Sequence, residues 1–209
     1  MNPSGDANLV PEIRNATAGD APPFLQAKDS IPGLDECTVG DFWQWAYSDV
    51  LSNRNRSIFA EYIVGVALGV DKPRVGWDAF DLQYAGFKIE VKSSAYCQSW
   101  FQKKPSTILF SIRKAVFWNP ETGTYEGEAT RSADLYVFCV HAEKDKVKAN
   151  VPDVATWDFY VVATATLNRE FGAAKSLSLA AGIPVAGNAV PVYRALGETD
   201  PGAGGVADQ

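Results

Sequence analysis

The sequence predicts an α/β domain in which helices pack on one central, mixed β-sheet. Helix-type apolar spacing comes first, strand-type runs fill the middle of the chain, and another helix-type segment follows them. The chain has 209 residues, of which 46% are hydrophobic, and this supports one sizeable core. We therefore expect a single main domain.

Two helices are expected at the start of this domain. The first covers Phe42–Leu51, and either Thr38 or Asp41 provides its N-cap. A polar break at Asn53–Arg56 separates it from the second helix, Ile58–Leu68. A third helix is predicted later, and its range is Leu167–Ala181.

Strand patterns fill the middle of the chain. A hairpin is expected over Ala79–Tyr84 and Phe87–Ser93, with its turn at Ala85-Gly86. The other predicted strands are Thr107–Ile112, Ala115–Trp118, Gly123–Glu126, Leu135–Val140, Phe159–Thr164 and an edge strand, Val190–Tyr193. Leu135–Val140 and Phe159–Thr164 are strongly apolar, which predicts central strands buried on both faces.

The two ends of the chain differ in composition from the middle. Residues 1–37 are rich in Pro, Gly, Asp and Asn, and residues 197–209 are rich in Gly, Ala and Asp. We expect a loosely ordered N-terminal segment, a domain over residues 38–196 and a flexible tail.

Charge is distributed unevenly along the chain. The net charge is −6, but residues 42–197 carry 17 basic and 15 acidic side chains. Within them a basic cluster has Glu90 as its one nearby acid, and its members are Lys88, Lys92, Lys103, Lys104, Arg113 and Lys114. The cluster suits nucleic-acid binding, and a solvated positive face explains it equally well.

Several classes of protein are disfavoured. The three cysteines are far apart and there is one histidine, which argues against a disulfide framework and a zinc site. The longest apolar run, Ile63–Val70, is too short to span a membrane. We expect a cytoplasmic protein without a signal peptide.

The predicted hairpin separates apolar from polar side chains. With Ala85-Gly86 as a two-residue turn, Leu82 faces Ile89 and Asp81 faces Glu90. One face then holds Phe80, Leu82, Tyr84, Phe87, Ile89 and Val91, and the other holds Asp81, Gln83, Lys88, Glu90 and Lys92. A slip of one residue would mix the two sets, so the register is strongly specified. It selects Asp81 rather than Asp78 as the partner of Glu90.

This pairing has a chemical consequence. Two carboxylates opposite each other on adjacent strands repel, and a divalent cation such as Mg²⁺ removes the conflict. Lys92 projects from the same face and can orient a water molecule or stabilise charge on a phosphate. A salt-bridge ladder on a solvated face is the alternative, and Glu90-Val91-Lys92 taken alone favours it.

Glu61 supports the functional interpretation independently. It is the one charged residue of Ile58–Val70, a stretch that is apolar nearly all round and therefore predicted to be buried. A buried carboxylate needs a cation, a metal or a hydrogen-bond donor. Glu61 points at the same metal or its water in this interpretation, whereas the alternative pairs it with Arg54, Arg56 or Arg74.

The arrangement of Glu61 on a helix, Asp81 on a strand and Glu90-Val91-Lys92 on the next strand resembles the PD-(D/E)xK nuclease superfamily. The resemblance covers roughly Asp41–Ile112 and extends plausibly to Tyr193. Phe80 stands where the family's name expects Pro. The resemblance implies a restriction-endonuclease-like αβ sandwich with a central mixed sheet flanked by helices.

The resemblance also implies roles for individual residues. Asp81, Glu90 and the backbone carbonyl of Val91 become Mg²⁺ ligands, with Mn²⁺ as a substitute, while Lys92 becomes the catalytic lysine and Glu61 an accessory acid. The implied activity is that of a metal-dependent DNA endonuclease of the restriction, defence or repair type, working on DNA, often as a homodimer. RNA or a repair junction stays open as substrate. The alternative function is a non-catalytic nucleic-acid-binding module of the same fold within a larger assembly.

Further residues are candidates for contacts with nucleic acid. They are Lys88, Ser93, Ser94, Gln98, Lys103 and Lys104. Trp100 is a candidate for stacking on bases, with core packing as the preferred alternative. His141 is expected to be a satisfied surface histidine.

Overall fold

A computed structural model describes residues 23–70, 73–74, 79–119 and 122–183. The described residues fall into two compact units, and the division lies between Trp43 and Gln44. The first helix, α1, covers Val39–Tyr47. It therefore begins three residues earlier and ends four residues earlier than predicted.

Thr38, rather than Asp41, caps α1. The Thr38 backbone N–H and hydroxyl each donate to the Asp41 carboxylate at 2.7 Å, and the Asp41 N–H donates to the Thr38 hydroxyl at 3.3 Å. This reciprocal capping satisfies backbone donors that the first helical turn leaves unpaired.

The second helix, α2, covers Asn53–Leu68. The predicted polar break at Asn53–Arg56 is therefore wrong, since these residues form the first turn of α2. Their polar side chains find partners nearby: the Asn55 amide, for example, donates to the carbonyls of Ala46 and Asp49 at 3.1 Å each. α2 ends at Gly69, whose left-handed φ of 68° suits glycine.

The central sheet has four strands in the order β1-β2-β6-β7. The strands of the described chain are β1 Leu82–Tyr84, β2 Phe87–Ala95, β3 Leu109–Ser111, β4 Ala115–Asn119, β5 Thr124–Thr130, β6 Leu135–His141, β7 Trp157–Ala163 and β8 Ser176–Ser178. β2 is parallel to β6, whereas β1–β2 and β6–β7 are antiparallel. β3–β8 and β4–β5 form two further antiparallel pairs. The prediction of an α/β domain with a mixed central sheet is confirmed.

Apart from differences in the bounds of strands, three further predictions are wrong or lie outside the described residues. β7 lies at the edge of the described sheet, so a central position for Phe159–Thr164 is wrong. The third helix, α3, covers Thr164–Phe171 instead of Leu167–Ala181, because Gly172 ends it and the following residues pair with β3 as β8. Val190–Tyr193 lies outside the described residues.

Apolar side chains pack on both faces of the sheet. α2 covers one face, where Ala60, Ile63, Val64 and Leu68 pack with Ile89, Val91, Val137, Cys139 and Phe159. On the other face, β3, α3 and β8 pack against β6 through Phe110, Ile112, Tyr136, Phe138, Val140, Leu167 and Leu177. β6 contributes to both clusters, which confirms its predicted burial on both faces. Within the described ranges no helix is long and apolar enough to cross a membrane.

Over Leu82–Tyr84 the hairpin register is the one that the sequence predicts, but it does not extend to the predicted pair of Asp81 and Glu90, because the Asp81 N–H donates to the Ile89 carbonyl. Leu82 pairs with Ile89, and Tyr84 pairs with Phe87. The turn residues Ala85 and Gly86 have φ values of 48° and 85°, and two positive values indicate a type I′ turn. Its right-handed twist matches that of the strands, so the turn helps to fix the register.

Replacement of Ala85 by glycine tests this turn. An L-residue with positive φ is strained, so we expect Ala85→Gly to stabilise the protein by about 0.5–1 kcal/mol. Denaturant unfolding measures the change. The control, Ala165→Gly on the exposed side of α3, should instead destabilise by about 0.5–1 kcal/mol. Loss of stability in Ala85→Gly would contradict the turn.

Candidate functional site

The strand pairing changes where Asp81 precedes β1. The Asp81 N–H donates to the Ile89 carbonyl at 3.0 Å, and its carboxylate accepts the Val91 N–H at 2.7 Å. These two bonds hold Asp81 against the backbone of β2. Phe80 then packs with the cluster on the other face, and the Lys88 ammonium lies 5.5 Å from its ring centre. Its predicted place beside Leu82 is wrong, because a local shift in pairing reverses the face of a side chain.

Val91 presents its backbone to Asp81. The N–H and C=O of one strand residue point toward the same strand edge. Since the Val91 N–H points at Asp81, its carbonyl lies on that edge as well. Its side chain is buried under α2. The edge of β2 at Val91 thus carries a carboxylate and a carbonyl oxygen side by side.

Glu90 and Lys92 form an ion pair on the opposite face of β2 from Val91. Burial raises the pKa of Glu90 above its ordinary value, and the negative charge of Asp81 raises it further. Lys92 lowers it, but the net direction is upward. Glu90 is therefore a carboxylate whose charge is under-compensated even with its lysine partner.

Glu61 is buried on α2, as predicted, and pairs with Arg74. Arg74 donates through two nitrogens, one of them at 3.2 Å from Oε1 of Glu61. This is one of the three arginine partners that the sequence allows. Burial nevertheless raises the pKa of Glu61 and the charge of Asp81 adds to the rise, although Arg74 and, to a smaller extent, Lys92 oppose it. The helix is not buried all round, because Tyr62 and Val66 are 66% and 47% exposed.

Glu61, Asp81, Glu90 and Lys92 thus form one electrostatic cluster. The pKa values of the buried Glu61 and of the partly buried Glu90 are each influenced by Asp81 and Lys92. Carboxylate and carbonyl oxygens are the ligands that Mg²⁺ prefers, so the donor set of the cluster fits this ion. In the part of the chain that is described, no three His, Cys, Asp or Glu side chains form a metal-binding group. Lys92 forms an ion pair with Glu90, and Arg74 forms one with Glu61. The salt-bridge alternative predicts ion pairs of this kind.

The predicted nucleic-acid contacts fall into two groups. Lys88, Lys103 and Lys104 are exposed. The Ser93 hydroxyl lies 3.3 Å from that of Ser57 on α2, and the buried Ser94 hydroxyl accepts the Leu109 N–H at 3.4 Å. These serines tie α2 and β3 to β2.

Gln98 belongs to a buried polar group that the sequence did not reveal. The wholly buried Arg56 donates to Gln98 Oε1 at 3.2 Å, to the Leu51 carbonyl at 2.8 Å and to Asn53 Oδ1 at 2.7 Å. The Gln98 amide nitrogen donates to the Ala95 carbonyl at 3.0 Å. Burial lowers the pKa of Arg56 to about 10. The Gln98 side chain therefore anchors the segment after β2 to α2 instead of facing solvent.

His141 is not the surface residue that was expected. It is wholly buried, and its ring packs edge-to-face with that of Trp157 at 5.4 Å between ring centres. Neither ring nitrogen has a hydrogen-bond partner within the described structure. The expectation fails because β6 and β7 remain paired as far as His141 and Trp157.

No protein-family model matches the chain, and no curated protein or solved structure matches it.

The burial of His141 predicts a pH dependence of stability. Burial lowers the pKa of folded His141, and the positive charge of Arg56 adds to this effect, whereas the backbone of Asn150 and the negative charge of Glu143 oppose it. Since the unfolded histidine binds its proton first, stability should fall as the pH drops below about 6.5 toward the folded pKa. In His141→Gln, the free energy of unfolding measured with denaturant should depend less on pH between about pH 7.5 and 5.5 than it does in the wild type.

The imidazole can be observed directly. The chain has one histidine, so a single set of imidazole NMR signals reports its titration. These signals should remain those of a neutral ring below pH 6.5. A titration at or above about pH 6.5 would contradict the buried position.

Proposed function

We propose that this chain is a metal-dependent DNA endonuclease of the restriction, defence or repair type. Asp81, Glu90 and the Val91 carbonyl would bind Mg²⁺ or Mn²⁺, with Lys92 and Glu61 completing the site. One observation carries the proposal: the buried Glu61 and the partly buried Asp81 and Glu90 lie near the point where β1 leaves β2, and the charges of Glu61 and Glu90 are under-compensated. Homodimer formation and a cytoplasmic location belong to the same proposal.

The direction of the pKa shifts supports a functional site over a purely structural one. An ion pair that stabilises a fold normally lowers the pKa of its carboxylate. Burial outweighs this effect for both Glu61 and Glu90, although each has a cationic partner. The folded protein therefore maintains charged groups at a cost, and such clusters are typical of functional sites. A divalent cation would offset the cost.

The chain's own residues have separable roles. Asp81 is oriented by the Val91 N–H, so its carboxylate enters the site with little freedom. The Lys92 side chain is 30% exposed, which leaves it room to hold a water molecule or a phosphate oxygen. Arg74 is 44% exposed and can bind a phosphate while it also holds Glu61. A bound Mg²⁺ would polarise the scissile phosphate and lower the pKa of a coordinated water.

A non-catalytic nucleic-acid-binding module is the second candidate. The ion pairs of the site support this candidate. Lys92 pairs with Glu90 and Arg74 pairs with Glu61, so both cationic side chains already bind a carboxylate. In such a module the exposed lysines would bind phosphates without cleavage.

Loss of the Lys92 ammonium should separate the two candidates. We expect wild-type protein with Mg²⁺ to nick plasmid DNA or to cut linear DNA, and Lys92→Ala to be slower by at least about 100-fold. Lys175→Ala, which removes an exposed lysine elsewhere, should retain wild-type activity. Equal rates in wild type and Lys92→Ala would contradict the assignment of the catalytic lysine.

Mg²⁺ binding can be tested without nucleic acid. At 100 times its dissociation constant, Mg²⁺ should stabilise the wild type by about 2.7 kcal/mol, or raise the Tm by roughly 5–10 °C. Glu90→Gln should lose most of this shift, whereas Glu170→Gln, at an exposed position on α3, should keep it. The salt-bridge alternative predicts the same Tm with and without Mg²⁺.

A further inference from the structure

The segment between β2 and β3, residues 96–106, presents two adjacent aromatic side chains to solvent. We name it the aromatic loop. Trp100 is 56% exposed and Phe101 is 83% exposed. Core packing of Trp100, the preferred alternative from the sequence, is therefore wrong. Two large exposed apolar side chains at one place are typical of a binding surface.

Hydrogen bonds within the aromatic loop fix its shape. Gln102 accepts the Gln98 N–H at 2.6 Å and donates to the Tyr96 carbonyl at 3.2 Å and to the Ser106 hydroxyl at 2.9 Å. The Ser106 N–H closes the loop on the Tyr96 carbonyl at 2.8 Å. The backbone that carries the two aromatic residues is therefore organised before any partner binds, which lowers the entropy cost of binding.

The segment that follows β6 supports the loop from outside. The Lys146 ammonium donates to the carbonyls of Ser99 and Trp100 at 3.0 and 2.9 Å. The Lys144 ammonium lies 4.8 Å from the centre of the Tyr96 ring. The position of Trp100 is thus held by a second part of the chain.

The chain segment that contains the aromatic loop is positively charged, whereas the supporting segment brings Glu143 and Asp145 near Cys97 together with Lys144 and Lys146. Residues 91–120 contain five basic side chains and no acidic one. Lys103 and Lys104 are exposed and follow Phe101 closely in the chain. Lysine is depleted in protein–protein interfaces, whereas lysines beside exposed aromatics are typical of grooves that bind single-stranded nucleic acid.

We propose that the aromatic loop is a stacking platform for the unpaired bases of single-stranded DNA. Trp100 and Phe101 stack on successive bases, and Lys103 and Lys104 bind the phosphates between them. Lys92 precedes Tyr96 by four residues, which is about 13 Å along an extended strand. The inference rests on the proposed nuclease function and deepens it, because it names DNA with unpaired bases beside the cut as the substrate.

Binding is measured by fluorescence anisotropy with a labelled 12-mer of oligo(dT), in EDTA so that no cleavage occurs. Trp100→Ala and Phe101→Ala should each weaken binding by roughly 5- to 100-fold. The control is Trp45→Ala on α1, which removes another tryptophan that is 84% exposed and should leave affinity unchanged. An abasic oligomer of the same length keeps the phosphates but lacks bases, so it should bind to wild type at least as weakly as oligo(dT) binds to Trp100→Ala.

Three outcomes would overturn the inference. They are equal affinity of wild type for oligo(dT) and the abasic oligomer, unchanged affinity in both aromatic variants, and self-association that Trp100→Ala abolishes without oligo(dT) binding. The last would indicate a surface for a second copy. Because binding is measured in EDTA, it is independent of cleavage. Binding that depends on Trp100, without any cleavage of DNA, would refute the nuclease function and support the stacking platform. Cleavage of DNA, with the same oligo(dT) affinity in wild type and in both aromatic variants, would support the nuclease function and refute the platform.

Discussion

The candidate site depends on one hydrogen bond, from the Val91 N–H to the Asp81 carboxylate at 2.7 Å. It forms where β1 stops pairing regularly with β2, so the side chain of Asp81 takes the place of a neighbouring strand. The bond fixes an acid against β2 and turns the Val91 backbone toward it. The same local change moves Phe80 to the opposite face of the sheet. The change in strand pairing just before β1 thus brings the Asp81 carboxylate and the Val91 carbonyl oxygen together.

Burial gives this arrangement its chemical character. α2 covers the sheet with apolar side chains and carries Glu61 into the same low-dielectric surroundings. Ion pairs with Arg74 and Lys92 reduce the cost of the charges of Glu61 and Glu90, but burial still raises both pKa values. A hydrophobic replacement is often as stable as a buried ion pair, so stability alone does not explain this cluster. The proposed cation or phosphate ligand would account for the cluster.

Local patterns in the sequence predicted the parts of the structure that depend on neighbouring residues. The alternation of apolar and polar residues fixed the β1–β2 register, and a lone acid in an apolar helix indicated the buried Glu61. Long-range pairing was not predictable in this way. Ser176–Ser178 pairs with β3 more than 60 residues earlier in the chain, so a helix-like local pattern gave the wrong structure there. His141 is buried for the same reason, because its cover comes from Trp157 on β7.

Gln98 is buried and Trp100 is exposed, which is the opposite of what their residue types suggest. The reversal has a physical cause. The wholly buried Arg56 needs acceptors, and Gln98 supplies one from the segment after β2. Gln98 therefore points inward, and two residues later Trp100 is more than half exposed. Since Arg56 and Glu61 are both on α2, the helix that contributes an acid to the site also anchors the aromatic loop. Any movement of α2 on binding would act on the site and on the loop together.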